Sequence, residues 1–228
     1  GPAPCSRPDG TFVNELGLHL RNVTNAFGGV YQEHASYPLS SVQTMEDVDA
    51  WRTKWVGWVR PEYWDVGDLK QEIENLNRKN RYYICYDLGG IFELSWSLYG
   101  LDRFLMDLVL EPELPCAIMD CVTDFLIAKA IRVLDAADGM IDMVYTFDDV
   151  GTQSGLLMSE TMWREYILPR HQRLNHVIRQ YPVKIMYHSC GAVFPLIRTL
   201  AKEMDIDVLN PLQPRAAGMD MPTIKRTF

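Results

Sequence analysis

Two residues with metal-binding side chains, His188 and Cys190, follow the short apolar run 183–187 and stand two positions apart. In extended backbone such residues point to the same side, so the imidazole and the thiolate can hold one metal ion. This pair of donor types favours zinc. A catalytic zinc usually has three protein ligands, so the third is expected from another loop or from sequence outside this chain. The alternative is an ordinary buried histidine and thiol.

Two adjacent carboxylates, Asp148 and Asp149, follow the apolar run 141–147. Neighbouring carboxylates can raise the pKa of one of the two and bind a cationic or NH-rich ligand, so both are predicted to be catalytic. The alternative is that they turn the chain and cap the next helix. Other polar side chains that follow apolar runs are predicted to bind a small-molecule substrate, namely Asp87, Gln153, Asn210 and Gln213.

These residues need a scaffold that brings their loops together, and an alternation of apolar runs and helical patterns supplies it. Because strands that are apolar on both faces and joined by helices form parallel sheets, the fold class is predicted to be α/β. Ligands bind such sheets at the carboxyl ends of the strands. The predicted strands are 82–86, 141–147, 183–187 and 206–209, and their exit loops are 87–90, 148–154, 188–191 and 210–214.

The helical patterns have recognisable starts and stops. One begins at Thr44, with Asp47 three residues later, and contains tryptophans predicted to pack in the core. A second begins at Asp68, where Gln71 completes a predicted capping box. Further helices are predicted over 92–110 with a break near Gly100, from Pro112 to Gly139, from Ser159 to about Gln180, and over 194–204. The tryptophans are Trp51, Trp55 and Trp58, and the apolar face of the second helix is Leu69, Ile73 and Leu76.

Two regions have weaker signals. The first forty residues show no sustained period and are predicted to be loops, with a short hairpin around Gly28 and Gly29. His171 and His176, on the helix from Ser159, are predicted to be surface or packing residues.

Composition excludes several classes of protein. The 22 basic and 30 acidic residues give a net charge of −8 without a basic cluster, which argues against nucleic acid as a partner. No apolar run approaches the roughly 20 residues that cross a bilayer, so we expect no membrane partner and a cytoplasmic location. Five scattered cysteines in a chain of this length favour reduced thiols over a disulfide scaffold.

Four segments together resemble the uroporphyrinogen decarboxylase superfamily: FDDVGTQSGLLMSE at 147–160, YILPR at 166–170, YHSCGAVFPL at 187–196 and DVLNPLQPRAAGMD at 207–220. The resemblance is strong over residues 80–228. It implies a single domain that is part of a (β/α)8 barrel, with parallel strands inside outer helices and truncated at both ends. Residues 1–79 would then be a loop-rich lead-in with two helices, and residues 80–228 the core of βα repeats.

The superfamily resemblance implies two chemistries. In the cobalamin-dependent methyltransferases an H-x-C pair and a later cysteine hold zinc, and His188 and Cys190 match that pair, so the later cysteine would lie beyond Phe228. This branch, which is preferred here, implies zinc and a corrinoid carried by a partner protein. The alternative is a uroporphyrinogen III decarboxylase of porphyrin biosynthesis, which needs no cofactor. Its substrate-contacting serine falls at Asp149, its tyrosine falls near Trp96, and its arginine motif is absent. A catalytically silent barrel fragment is the third reading.

Overall fold

A computed structural model describes residues 5–58 and 65–228, without the side chains of residues 56–58. The chain divides into two compact units. The first comprises Gly1–Asp65 and Leu94–Phe125, and the second comprises Val66–Glu93 and Leu126–Phe228. Each unit is described by itself below.

The first unit contains an antiparallel sheet of four strands in sequential order. Its last two strands form a hairpin in which Asn25 Oδ1 accepts hydrogen bonds from Phe27 N and Gly29 N, and Gly28 takes a positive φ of 81°. The hairpin predicted at these glycines is therefore confirmed. The prediction of loops in the rest of the first forty residues is wrong. The strands of this sheet bury few side chains, so their sequences show no alternation of apolar and polar residues. The strands are β1 (Cys5–Ser6), β2 (Thr11–Val13), β3 (His19–Thr24) and β4 (Val30–Ser36).

Helix α1 (Met45–Trp58) begins with the capping box predicted from its sequence. Asp47 Oδ2 accepts a hydrogen bond from Thr44 N at 3.0 Å, and Thr44 Oγ1 accepts one from Asp47 N at 3.2 Å. The rings of Trp51 and Trp55 stack with centroids 5.1 Å apart, and Trp55 is buried, which confirms the predicted packing of these two. The side chain of Trp58 lies outside the described part.

The second unit contains a parallel sheet in the order β5-β6-β7-β8. Four adjacent parallel strands with helices between them are part of a (β/α)8 barrel, as predicted. The first strand of this parallel sheet lies three residues later than predicted. Asp87 is therefore in the strand and not in its exit loop. The strands are β5 (Cys85–Gly89), β6 (Met143–Phe147), β7 (Lys184–His188) and β8 (Val208–Asn210).

The remaining helices follow the predicted pattern with two corrections. Asp68 makes no side-chain cap hydrogen bond, so the predicted capping box with Gln71 is wrong. Leu76 is 54% exposed, so it does not join Ile73 in the core. The predicted break near Gly100 is confirmed by a positive φ of 101°. The helices are α2 (Leu69–Leu76), α3 (Ile91–Tyr99), α4 (Leu101–Leu110), α5 (Glu113–Ala137), α6 (Glu160–Met162), α7 (Leu168–Ile178), α8 (Ile197–Lys202) and α9 (Met221–Thr227).

A π-helical segment, Trp163–Ile167, separates α6 from α7. The predicted cap of this helix is confirmed, because Ser159 Oγ accepts a hydrogen bond from Met162 N at 3.1 Å. A short 3₁₀ segment, Phe194–Leu196, precedes α8. All five cysteines are free thiols. No helix in the described ranges is long and apolar enough to cross a bilayer.

Candidate metal centre

The predicted metal ligands meet at the carboxyl end of β7. His188 is the last residue of this strand, and Cys190 follows two positions later. The imidazole Nε2 of His188 lies 3.3 Å from the Sγ of Cys190. The two side chains thus point to the same side of the extended backbone.

A third donor comes from the loop after the neighbouring strand β6. Asp149 Oδ1 lies 3.4 Å from His188 Nε2 and accepts a hydrogen bond of 2.7 Å from the backbone N–H of Cys190. The metal-binding atoms of Asp149, His188 and Cys190 all lie within 4.8 Å of one another. Asp149 was predicted to be catalytic, and the third ligand was expected from another loop or, by the family resemblance, beyond Phe228. The structure instead makes this carboxylate a candidate third ligand.

A hydrogen bond at the other ring nitrogen of His188, Nδ1, fixes the orientation of the ring. Asn210 Oδ1, at the end of β8, lies 3.1 Å from Nδ1. Because an amide oxygen is only an acceptor, Nδ1 donates in this contact, and Nε2 is the ring nitrogen that faces Cys190 and Asp149. The ring of Tyr145 meets the imidazole edge to face, with centroids 5.9 Å apart. The His188 side chain keeps 23% of its surface exposed, so a ligand can reach it.

The electrostatic setting of Cys190 keeps its thiol protonated in the absence of a cation. Burial raises the pKa of this thiol, and the negative charge of Asp149 and, more weakly, of Glu93 raises it further. A divalent cation between the donors would reverse this effect, because its charge is the largest local one and favours the thiolate.

The predicted catalytic residue Asp148 points away from this cluster into the interior. Its side chain is fully buried, and its Oδ2 lies 2.6 Å from Nε2 of His171, which is also fully buried. Its Oδ1 accepts a hydrogen bond from Glu93 N at 2.8 Å. These contacts fit a residue that holds the loop in place.

Two residues of this site were missed by the sequence analysis. His171 was placed among surface or packing residues, and the sequence contains no signal that pairs it with Asp148. Glu93 stands in the first turn of α3, three residues after the Gly90 exit of β5, and its Oε1 accepts a hydrogen bond from Asp149 N at 2.8 Å. Burial, followed by the charge of Asp148, raises the pKa of Glu93 to about 7.

Three predicted substrate-binding residues lie in the same group of loops. Gln213 Oε1 accepts hydrogen bonds from Gly191 N at 2.9 Å and from Gln153 Nε2 at 3.1 Å. Asn210 contacts His188, as described above. These contacts bring the exit loops of β6, β7 and β8 together around the metal-binding cluster.

Asp87 lies one strand further away. It stands beside Tyr145 in the register of β5 and β6, and Tyr145 in turn contacts His188. Burial raises the pKa of Asp87, an effect that Lys129 opposes.

Comparison with known proteins gives a family and a fold. The family model described as "Uroporphyrinogen decarboxylase (URO-D)" matches residues 43–212, a range that contains all three candidate ligands. No curated protein matches the chain. A solved structure of a methyltransferase from Methanosarcina mazei shares the fold with a TM-score of 0.62 at 18% sequence identity. The match covers 86% of this chain and 53% of that one, so the chain spans about half the length of this methyltransferase.

Proposed function

Because the chain belongs to the uroporphyrinogen decarboxylase (URO-D) family, we propose that it is a zinc-dependent methyltransferase that transfers a methyl group to or from a corrinoid. The observation that carries this proposal is the cluster of Asp149, His188 and Cys190 at the carboxyl ends of β6 and β7. One of the solved proteins that share the fold is also a methyltransferase.

The three donors are of the types that bind zinc, and the two separations from His188 Nε2 match its geometry, with all three donors within 4.8 Å of one another. Thiolate, imidazole and carboxylate are all zinc ligands, and three protein ligands with an open fourth position are typical of a catalytic site. Tetrahedral zinc with ordinary bond lengths separates neighbouring donor atoms by roughly 3.4 to 3.6 Å. The separations in this chain are 3.3 Å from His188 Nε2 to Cys190 Sγ and 3.4 Å from the same nitrogen to Asp149 Oδ1.

Each residue of the cluster has a distinct task in this proposal. When bound, zinc supplies a Lewis acid that either holds a thiol acceptor as its thiolate or polarises the oxygen of a methyl donor. Cys190 gives up its thiol proton to become a ligand. Asn210 keeps the other nitrogen of His188 protonated and so leaves Nε2 to bind. Asp149 adds a negative charge that balances the cation.

The amides around the cluster would bind the substrate. The exposed side chains of Gln153 and Asn210 and the half-buried Gln213 offer donors and acceptors to a small polar molecule. Asp87, beyond Tyr145, would bind an NH-rich or cationic part of it. The corrinoid would be presented by a partner protein.

Metal analysis of the purified protein tests the proposal directly. We expect about one zinc per chain, and a Cys190→Ser variant that has lost most of it. Cys85→Ser is the matched control, because Cys85 is a free thiol at the start of β5 and is outside the cluster. It should keep its zinc.

Activity is then measured as demethylation of methylcobalamin by a thiol, followed by the change in corrinoid absorbance. The zinc-loaded protein should be active, and the Cys190→Ser variant should not. Metal-free protein that removes the acetate carboxyl groups of uroporphyrinogen would contradict the proposal and support the decarboxylase alternative.

A further inference from the structure

We propose that Glu93 is a positioning residue that holds Asp149 in place to bind the metal, with Asp148 and His171 as its buried anchor. This inference rests on the proposed function, since it assigns a supporting residue to the same zinc site. Glu93 itself is outside the group of three donors.

Two reciprocal hydrogen bonds join α3 to the loop after β6. The backbone N–H of Glu93 donates to Asp148 Oδ1, and the backbone N–H of Asp149 donates to Glu93 Oε1, both at 2.8 Å. In each of these two hydrogen bonds, a backbone N–H donates to a carboxylate oxygen. The position of the Asp148–Asp149 peptide is fixed relative to the first turn of a helix, which is a more rigid support than a loop.

The anchor beneath this arrangement excludes water. Asp148 and His171 are fully buried, and the His171 ring packs edge to face on the buried ring of Tyr187 at 5.2 Å. Asp148 N also donates to the backbone oxygen of His188, the last residue of β7. Asp148 is thus held by three separate elements: its carboxylate contacts α3 and α7, and its backbone N–H contacts β7.

The support matters for Asp149 because 45% of its side-chain surface is exposed. Within the cluster its Oδ1 accepts a hydrogen bond from Cys190 N and lies 3.4 Å from His188 Nε2. Holding the backbone of Asp149 limits the positions that this half-exposed carboxylate can take. Supporting residues of this kind typically change metal affinity by about 10- to 100-fold when they are removed.

The experiment measures zinc affinity by competition with a chromogenic chelator in variants of the whole protein. Glu93→Ala removes the acceptor for Asp149 N, and we expect zinc affinity to fall about 10- to 100-fold. Glu93→Gln keeps an acceptor oxygen at the same place and should stay within about threefold of the wild type, as an amide can replace the carboxylate in this role. Glu165→Ala, an exposed glutamate in the π-helical segment, is the control for losing a carboxylate elsewhere.

A second readout separates positioning from general destabilisation. The visible spectrum of bound Co²⁺ depends on the number and type of its ligands. The spectrum of Glu93→Ala should therefore resemble that of Asp149→Ala and differ from the wild type, whereas Glu93→Gln should match the wild type. If Glu93→Ala does not unfold cooperatively, Glu93→Asp serves instead, because it keeps the charge but is too short to reach Asp149 N.

The outcomes distinguish this inference from the proposed function. Wild-type zinc affinity and an unchanged Co²⁺ spectrum in folded Glu93→Ala or Glu93→Asp would overturn the positioning role and leave the zinc site standing. Equal losses in Glu93→Gln and Glu93→Ala would also overturn it. A wild-type protein that binds neither zinc nor Co²⁺ would overturn both.

Discussion

The side chains of Asp148 and His171 are both fully buried, with Oδ2 and Nε2 2.6 Å apart. A buried carboxylate that loses its partner keeps the cost of leaving water without the compensating hydrogen bond. We therefore expect His171→Ala to lower the free energy of unfolding by about 3 kcal/mol. Urea denaturation measures this change, with His176→Ala, at an exposed position on the same helix, as control. A His171→Ala variant as stable as His176→Ala would show that the pair contributes nothing.

Gly90 is packed so closely that a side chain does not fit. A Cβ at this position would lie 2.1 Å from Phe147 O and 2.7 Å from Asp148 Oδ1. We expect Gly90→Ala to lower the free energy of unfolding by about 1 to 3 kcal/mol or more, because the backbone at the end of β6 must move. Gly155→Ala is the matched control, since a Cβ there meets nothing within 4 Å. Equal stability of the two variants would contradict this reading.

The sequence allowed some of these residues to be predicted and not others. His188 and Cys190 could be predicted because their spacing has a direct meaning in extended backbone. Asp149 as a candidate third ligand could not be predicted, because the pairing register of β6 and β7 determines which of two adjacent carboxylates faces the cluster. The partnership of His171 with Asp148 depends on how α7 packs on the sheet, and no local pattern records it.

At the level of elements, Asp207 joins α7, β7 and the start of β8. Its carboxylate accepts hydrogen bonds from Ile185 N at 2.8 Å, from Arg179 at 2.7 Å and from Lys184 at 2.9 Å. Burial acts to raise the pKa of Asp207, but these three hydrogen bonds outweigh it, and the pKa lies below its usual range. The ionised side chain therefore stabilises the folded state.

A pH series of unfolding free energies tests this contribution. A carboxylate with a lowered pKa contributes fully above its unfolded pKa of about 3.9, and the contribution is lost as the pH falls through the folded pKa. We expect Asp207→Asn to cost about 1 to 2 kcal/mol at neutral pH, and the difference from the wild type to shrink below about pH 4. Asp205→Asn should lower the free energy of unfolding less, because Asp205, which also pairs with Arg179, is more exposed than Asp207. A difference that does not depend on pH would exclude the ionised form as the cause.

Elements were predicted best where burial is strong. Helix α5 and strands β6 and β7 were located within a few residues, because their apolar positions repeat with a clear period. Strand β5 was placed too early because Tyr82 and Tyr83 have the residue types of a strand, although both are exposed outside it. The antiparallel sheet of the first unit was missed because its strands leave most of their side chains in solvent.

For the molecule as a whole, zinc binding should be linked to folding stability. A ligand that binds only the folded state at 100 times its dissociation constant adds about 2.7 kcal/mol to the free energy of unfolding. We expect the melting temperature to fall when a chelator removes zinc and to recover when zinc is added back. Cys190→Ser should abolish this response, and Cys85→Ser should retain it. A melting temperature that does not depend on zinc would contradict the linkage.

The π-helical segment Trp163–Ile167 has a consequence for the length of the chain. Each residue of an α-helix advances the side-chain direction by about 100°. A π-helical turn holds about one residue more than an α-helical turn, so if one residue were deleted from this wide turn, it would close as an ordinary α-helical turn and α7 would keep the direction that points His171 at Asp148. Such a shortened protein should still unfold cooperatively, whereas a one-residue insertion that the turn cannot hold should not be tolerated in the same way. The wide turn therefore absorbs one residue between Ser159 and His171 without changing which side chain faces Asp148.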